Sequence, residues 1–380
     1  MRSRIHGALL ALDSVPLDTT HGPFVAHRFH NLATGQPALA VAYGDLSGTT
    51  PLPVRVHSSC LTSEAFGACD CDCAEQLDGA LAAIAASGRG VLFYLAQEGR
   101  GAGFAAKALD RMLVQASDNR LTTFEAYEAL GLARDHRSYE EVVWMLRLLE
   151  IRAPLELLTN NPEKLGALPA LGVPLAGYRP LAVAAHAFSR HYLAAKTESG
   201  HLLEPIPGDI AQLPERVERM WPEAVPGARN AVRLASYLLP LRTHDLAWFR
   251  LHLFFDRRRR RERIVLEHGR SAEPLVRVYR ERLLERFPLR HRGERTRWTL
   301  AVDAMIAAGG GVALVLPEGE ALSQADIALL ASRLPAGRAR ALGEDMHGLA
   351  AQLARRRIGL GPPQGLGRST LSDCSRVGAV

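Results

Sequence analysis

At 380 residues the chain is too long for one ordinary small domain and long enough for two cores. Apolar residues make up 47% and charged residues 23%, an ordinary globular composition, and no run reaches the roughly 18 apolar residues of a spanning helix. The net charge of +6 admits a nucleic acid or an anionic small substrate. The basic residues are almost all arginine; lysine occurs only at positions 107, 164 and 196. The short apolar run Ala8–Leu12 has no convincing cleavage site after it, so a cytoplasmic protein is expected.

In chain order, Leu52–His57 alternates as a strand does, and Gln76–Ser87 has helical periodicity. Gly90–Leu95 reads as a short buried strand entering the glycine-rich turn Glu98–Gly103. Phe104–Gln115 and Tyr139–Leu149 are predicted helices, and Leu155–Leu158 a strand ending in Thr159-Asn160-Asn161-Pro162. Strands alternating with helices predict an α/β domain. Pro205-Ile206-Pro207-Gly208 reads as linker, which divides the chain into a first domain over 1–203, a linker over 204–227, a second domain over 228–360 and a flexible Gly/Ser/Pro-rich tail over 361–380 that contains the bystander Cys374.

The second domain repeats the first in worn form. Gly269–Phe287 parallels Gly44–Phe66, Trp298–Gly319 parallels Gln76–Gly99, and Pro240–Phe254 resembles Pro16–Phe29, in the same order. Such matches predict a duplication and a second α/β domain that is a degenerate repeat.

Four of the five cysteines, Cys60, Cys69, Cys71 and Cys73, fall within fourteen residues. Neighbours as close as Cys71 and Cys73 are poor disulfide partners, so a metal is the better reading. Three thiolates leave a fourth tetrahedral position for water, as in a catalytic zinc site. Cys60, Cys71 and Cys73 form one such set, with Cys69 a competitor through its pair with Cys71.

Around them, Val54–Leu77 (VRVHSSCLTSEAFGACDCDCAEQL) resembles the signature of the GTP cyclohydrolase II family: a cysteine, ten residues, then Cys-x-Cys. Four further segments resemble family motifs in order: Gln97–Gly103 (QEGRGAG), Thr122–Tyr139, Leu157–Lys164 (LLTNNPEK) and His191–Leu203 (HYLAAKTESGHLL). The resemblance covers about residues 1–203. It implies a mixed sheet flanked by helices, one Zn²⁺ on Cys60, Cys71 and Cys73 with Cys69 spare, and hydrolysis of GTP. Zinc-activated water opens the imidazole ring and pyrophosphate leaves, in riboflavin-type or related metabolism. Mg²⁺ accompanies the triphosphate. Arg137 is expected to attack or clamp the α-phosphate and Asp135 to accept a proton; since arginine stays protonated, clamping is the safer physical reading. Arg55, Val56, His57, Ser58, Ser59, Gln76, Glu98, Gly99, Arg100, Thr123, Thr159 and Lys164 fall on GTP-contacting positions.

Two positions depart from the family pattern. Ser59 stands where the family commonly has glutamate. A family tyrosine, a plausible aid to loss of the formyl group, falls on Met112 counting back from Gln115, or on Arg111 counting forward from Lys107. Met112 is the preferred match, because its neighbours fit the helix better, and it offers no hydroxyl donor. The product is then either a diaminopyrimidine ribonucleotide plus formate or a pyrimidine ribonucleotide that keeps its formyl group. A catalytically impaired, guanine-nucleotide-binding regulatory protein is the alternative function.

In the repeat alignment Cys60 falls on Arg282, and Cys71 and Cys73 fall near Gly293 and Arg295, so the second copy keeps no zinc ligand. A homodimer or an intrachain pseudo-dimer is expected; in the latter the second copy stands in for the partner subunit of a family that is typically homodimeric. The run Arg257–Arg261 is expected to be a solvated strand connection, with no membrane partner and no nucleic-acid partner.

Overall fold

The computed structural model describes residues 4–181, 187–203, 208–291, 293–335, 337–343 and 349–364. In the first half, strands β1 (Ile5–His6), β2 (Leu9–Thr19), β3 (Gly22–Asn31), β4 (Pro37–Tyr43), β5 (Leu52–Ser58), β6 (Gly90–Leu95), β7 (Leu155–Leu158) and β8 (Leu175–Arg179) form one sheet, in the order β1-β2-β3-β4-β6-β5-β7-β8. The β1–β4 meander and the β4–β6 pair are antiparallel, while β6, β5, β7 and β8 run parallel. Parallel neighbours need crossovers, and helices supply them. These are the short α1 (Leu61–Glu64), α2 (Cys73–Ala86), α3 (Phe104–Ala116), α4 (Thr123–Ala129), α5 (Glu140–Leu148) and α6 (Pro162–Ala170), with α7 (Arg190–Glu198) after the sheet. The apolar run of β6 is buried throughout because the sheet is covered on both faces there. Sequence patterning found β5, β6, β7 and the longer helices, but not the β1–β4 meander.

The second half builds another mixed sheet from β9 (Glu223–Val225), β10 (Ala228–Arg242), β11 (Leu246–Asp256), β12 (Arg261–Gly269), β13 (Leu275–Glu281), β14 (Gly310–Pro317), β15 (Gly337–Leu342) and β16 (Ile358–Gln364). Its order, β9-β10-β11-β12-β14-β13-β15-β16, is that of the first sheet strand for strand, and so are its pairing directions. The crossover helices are α8 (Gly293–Ala307), α9 (Gln324–Ser332) and α10 (Leu349–Ala354). The register agrees as well: Val54 pairs with Val91, and Val276 with Val312. One residue on, buried Arg55 donates from Nη1 to the Leu158 carbonyl at 2.8 Å, and buried Arg277 donates to Leu342 at 3.2 Å.

Two expected boundaries shift. β9 lies inside the expected linker, because it pairs with the edge of β10, and β16 runs past residue 360 beside β15. Residues 204–207 of the linker, residues 365–380 of the tail and Cys374 lie outside the described residues. The arginine run forms the exposed turn between β11 and β12; Asp256 accepts from the Arg258 and Arg259 backbone N–H groups, and Arg261 pairs with Glu320.

The halves dock reciprocally. In one contact Arg242 N–H donates to the Gly67 carbonyl at 3.1 Å and Cys69 N–H to Pro240 at 3.0 Å. In the other, Thr20 N–H donates to Pro288 at 2.8 Å and Arg290 N–H to Asp18 at 3.1 Å. The same two kinds of segment, the stretch after the first parallel strand and the end of the long hairpin strand, thus meet twice with roles exchanged, the pattern of a two-fold interface. Between the sheets, Phe66, Phe104, Ala108 and Met112 of the first half pack with Tyr237, Leu239, Phe249 and Trp298 of the second. Gln115 on α3 fastens this layer: its Nε2 donates to the Leu238 carbonyl at 2.7 Å and its Oε1 accepts from the Leu238 N–H at 2.8 Å.

Candidate active site

The carboxyl ends of β5, β6 and β7 open onto one cleft, where an α/β sheet ordinarily binds its ligand. Three sulfurs lie on its wall. Cys60 follows β5, Cys71 lies in the connection before α2, and Cys73 opens α2. Their Sγ atoms lie within 4.8 Å of one another, with Cys60 and Cys71 3.7 Å apart. Zn–S bonds of about 2.3 Å at tetrahedral angles separate sulfurs by about 3.8 Å, so the three thiols fit a zinc ion. Among the described residues this is the one group of three or more His, Cys, Asp or Glu side chains with such spacing. Hydrogen bonds with Cys71 and Cys73, aided by the Lys107 ammonium 3.0 Å away, hold the Cys60 thiol well below its ordinary value. Cys69 stands apart: its thiol faces the Pro240 carbonyl at 3.5 Å, and burial pushes it up to about 12.

Of the other residues singled out in the sequence, Arg55, His57, Ser58, Ser59, Gln76, Glu98, Gly99, Arg100, Thr123, Arg137, Thr159 and Lys164 line the same cleft. The turn Gly99–Gly101 presents Arg100 with φ of 54°, and at Gly101 a Cβ would meet the His136 carbonyl at 2.7 Å, so only glycine fits. Asn161 caps α6 by accepting from the Glu163 N–H at 2.9 Å, and Pro162 begins the helix. That cap aims Lys164 inward, where Nζ donates to the Val56 carbonyl at 2.7 Å. Burial, with Arg55 and Arg137 nearby, pushes the Lys164 ammonium well below its ordinary value.

Arg137 and Asp135 form a pair beside these groups: Arg137 Nε donates to both Asp135 oxygens at 2.9 Å. Burial works against both charges, yet the mutual hydrogen bonds and attraction outweigh it, raising Arg137 and lowering Asp135. Arg137 is therefore a fixed cation. Burial pushes the Asp110 carboxyl up to about 6, against the pull of Arg111 and Thr123.

Two sequence expectations change. The Val56 side chain lies in the core, and only its carbonyl serves the site, because alternate residues of β5 face opposite sides. Met112 does not reach the cleft; it is 1% exposed and packs between the two sheets. A helix turns about 100° per residue, so its neighbour Arg111 takes the cleft face. Arg111 lies 3.4 Å from Asp70, and its guanidinium sits over the Tyr192 ring at 4.8 Å. Of the two candidate positions, Arg111 is the one on the cleft.

Sequence reasoning gave no role to Lys107, Asp110, Tyr127, Tyr192, Lys196 and His201, which also line the cleft. One signal was available: all three lysines of this arginine-rich chain meet here. Arg55 Nε, His57 Nδ1, Ser58 Oγ and Asp110 Oδ1 are buried cleft atoms with no hydrogen-bond partner among the described residues. Leaving such atoms unmet is costly, and a polar ligand would meet them.

Comparison with known proteins agrees with this geometry. A sequence model of the family described as GTP cyclohydrolase II matches residues 11–180. GTP cyclohydrolase-2 of Tolumonas auensis is 41% identical over 191 residues, which is 50% of this chain and 95% of that protein. The Klebsiella pneumoniae enzyme of the same name is 41% identical over 194 residues, 51% of this chain and 95% of its own length. The Escherichia coli enzyme is 42% identical over 188 residues, 49% and 94%. The motif order, the cleft at the parallel strand ends and these likenesses place the chain in the GTP cyclohydrolase II family of hydrolases.

Proposed function

We propose that the first half hydrolyses GTP in a zinc-dependent reaction that opens the imidazole ring and releases pyrophosphate, and that the formyl group stays on the pyrimidine product. The observation that carries this reading is the convergence of Cys60, Cys71 and Cys73 on the wall of a cleft that also holds Arg137, Arg100 and Lys164. Zinc held by the three thiolates supplies a Lewis acid that activates water near neutral pH.

The protein's own groups divide the remaining work. Arg100 and Arg137 are cations placed for a triphosphate carrying Mg²⁺, and Lys164 adds an amine whose charge the bound phosphates would favour. Asp135 holds Arg137 in orientation and accepts rather than donates, since its carboxyl sits below the ordinary range. Clamping of the departing pyrophosphate, rather than attack by an arginine, follows from that pairing. Lys107 keeps its proton: burial opposes its charge, but Cys60 and Glu98 raise it well above the ordinary value. Glu98 in turn joins the cleft to the zinc turn, accepting from Lys107 at 2.6 Å and from the Leu61 N–H at 2.7 Å.

Retention of the formyl group follows from Arg111. By the count forward from Lys107 it is read as standing at the tyrosine position of the family pattern, where it offers a permanent cation in place of a neutral O–H donor. One observation favours formate release instead: the Tyr192 ring lies against Arg111 and brings a phenol to the cleft from α7.

The second half is read as a zinc-free copy that stands as a partner subunit within the chain. Supporting this are the identical strand order, the Arg55 and Arg277 hydrogen bonds at one register position, and the reciprocal docking. Incubation of the full zinc-loaded chain with GTP and Mg²⁺, with product mass and formate both measured, tests the proposal. A ring-opened product that keeps the formyl carbon is expected; unchanged GTP would refute the activity, and one formate per GTP would refute the product.

A further inference from the structure

A line of buried side chains runs from the second half to the cysteine turn of the first. The Glu64 carboxylate, 2% exposed, accepts at Oε1 from the Cys60 backbone N–H at 3.0 Å and from His57 Nε2 at 2.8 Å. Its Oε2 accepts from the Tyr94 hydroxyl. Arg286 of the second half donates from Nη1 to the Tyr94 oxygen at 3.1 Å. Glu281 fixes the same guanidinium with bonds of 2.7 and 3.0 Å. Phe287, also of the second half, packs on the Tyr94 ring with centroids 5.3 Å apart.

The chemistry of the link gives it a direction. A guanidinium has donors only, so the Tyr94 oxygen must accept from Arg286 and its one proton must go to Glu64. Both Glu64 oxygens then act as acceptors, and Arg286 brings a positive charge up to this buried side chain through the phenol. The two ends hold matching places. Glu64 closes the short helical turn Leu61–Glu64 after β5, and Arg286 closes the turn Leu283–Arg286 after β13. Each residue thus ends the turn that follows the first parallel strand of its half, and the two turn ends are joined across the interface through Tyr94.

We propose that Arg286 is a positioning residue for the metal turn of the other half: through Tyr94 it fixes the Glu64 carboxylate that orients Cys60 and His57. This rests on the proposed zinc site, and it gives the second half a definite part in that site. Partners of this kind behind metal ligands typically change metal affinity or activity by about 10–100-fold when removed.

The test uses the full chain and four variants: Arg286→Met, Arg286→Lys, Tyr94→Phe and the Tyr94→Phe/Arg286→Met double. Zinc affinity is measured by competition with a chromogenic chelator, the Co²⁺-loaded thiolate absorption is recorded, and kcat and KM for GTP are separated. Arg286→Met and Tyr94→Phe should each weaken zinc binding at least about tenfold and shift the Co²⁺ spectrum. The double variant should be no weaker than the worse single one, because both cut one link. Arg286→Lys, which restores a cationic donor, should recover most of the loss. Zinc affinity within twofold of the parent in Arg286→Met overturns the proposal, even if the unfolding midpoint falls. Additive losses in the double variant overturn it too. A parent that binds zinc but leaves GTP intact removes the functional reading alone, since affinity is read without turnover.

Discussion

Phe66 and Phe287 stand at matching positions of the two halves, and each is buried in the other half's core. Phe66 packs against Tyr279 and Trp298 with centroids 6.3 and 5.8 Å away, and its carbonyl accepts from Trp298 Nε1 at 3.1 Å. Phe287 enters the cluster of Phe24, Leu39, Leu81 and Tyr94. Each half therefore completes its core with a ring from the other, and neither cluster is closed by its own chain segment alone.

Truncating either ring should lower stability by about 3–5 kcal/mol, the usual cost of Phe→Ala in a packed core. Phe66→Ala and Phe287→Ala are both expected to lower the urea midpoint by similar amounts, with the whole chain unfolding together. A separate early transition of the second half alone would speak against a shared core.

Metal content should follow three cysteines and ignore a fourth. Cys60→Ala, Cys71→Ala and Cys73→Ala should each purify with little zinc, because a three-thiolate site loses a third of its ligands. Cys69→Ala should keep about one zinc per chain and its turnover, since its thiol faces Pro240. Elemental analysis of the four variants decides; zinc lost from Cys69→Ala alone would assign the site wrongly.

Arg111→Tyr is expected to turn the formyl-retaining reaction toward formate release, because it returns a phenol to the cleft face of α3. Formate per GTP should rise several-fold while zinc content stays constant. If the parent already releases formate and Tyr192→Phe abolishes it, α7 supplies the phenol instead.

Acid should weaken the second half through His252. Burial pushes this imidazole down to about 4 against the pull of Glu267, which accepts from its Nε2 at 3.1 Å. The folded pKa lies below the unfolded value of 6.5, so the stabilisation is full above 6.5 and is lost as pH falls through about 4. That shift corresponds to at most roughly 3 kcal/mol. His252→Gln should flatten the fall of the urea midpoint between pH 6.5 and 4; an unchanged slope would show that another group is responsible.

Much of the site was legible before any fold was known. The spacing of Cys60, Cys71 and Cys73, the glycine turn at Gly99–Gly101 and the capped Lys164 are local features, each set by residues near one another in sequence. The strand Gly90–Leu95 announces itself by an unbroken apolar run, because a strand buried on both faces has no polar side to show. The β1–β4 meander was illegible for the opposite reason. Its two long strands, β2 and β3, are partly exposed, and their pairing is bulged between Ala11 and Ser14, which breaks the alternation that marks a strand.

The sequence by itself pointed to the three cysteines that converge, to the strand ends that carry them and to the parallel between the halves, since each depends on short-range spacing and on apolar patterning. Only the tertiary structure decided that Arg111 rather than Met112 faces the cleft, because one residue along a helix turns a side chain by about 100° and no count from flanking motifs fixes that phase. It alone also brought Arg286 to Tyr94, residues 192 positions apart. Contacts of that kind arise from the docking of two separate hydrophobic faces, and a chain records such docking only as buried residues, without naming their partners.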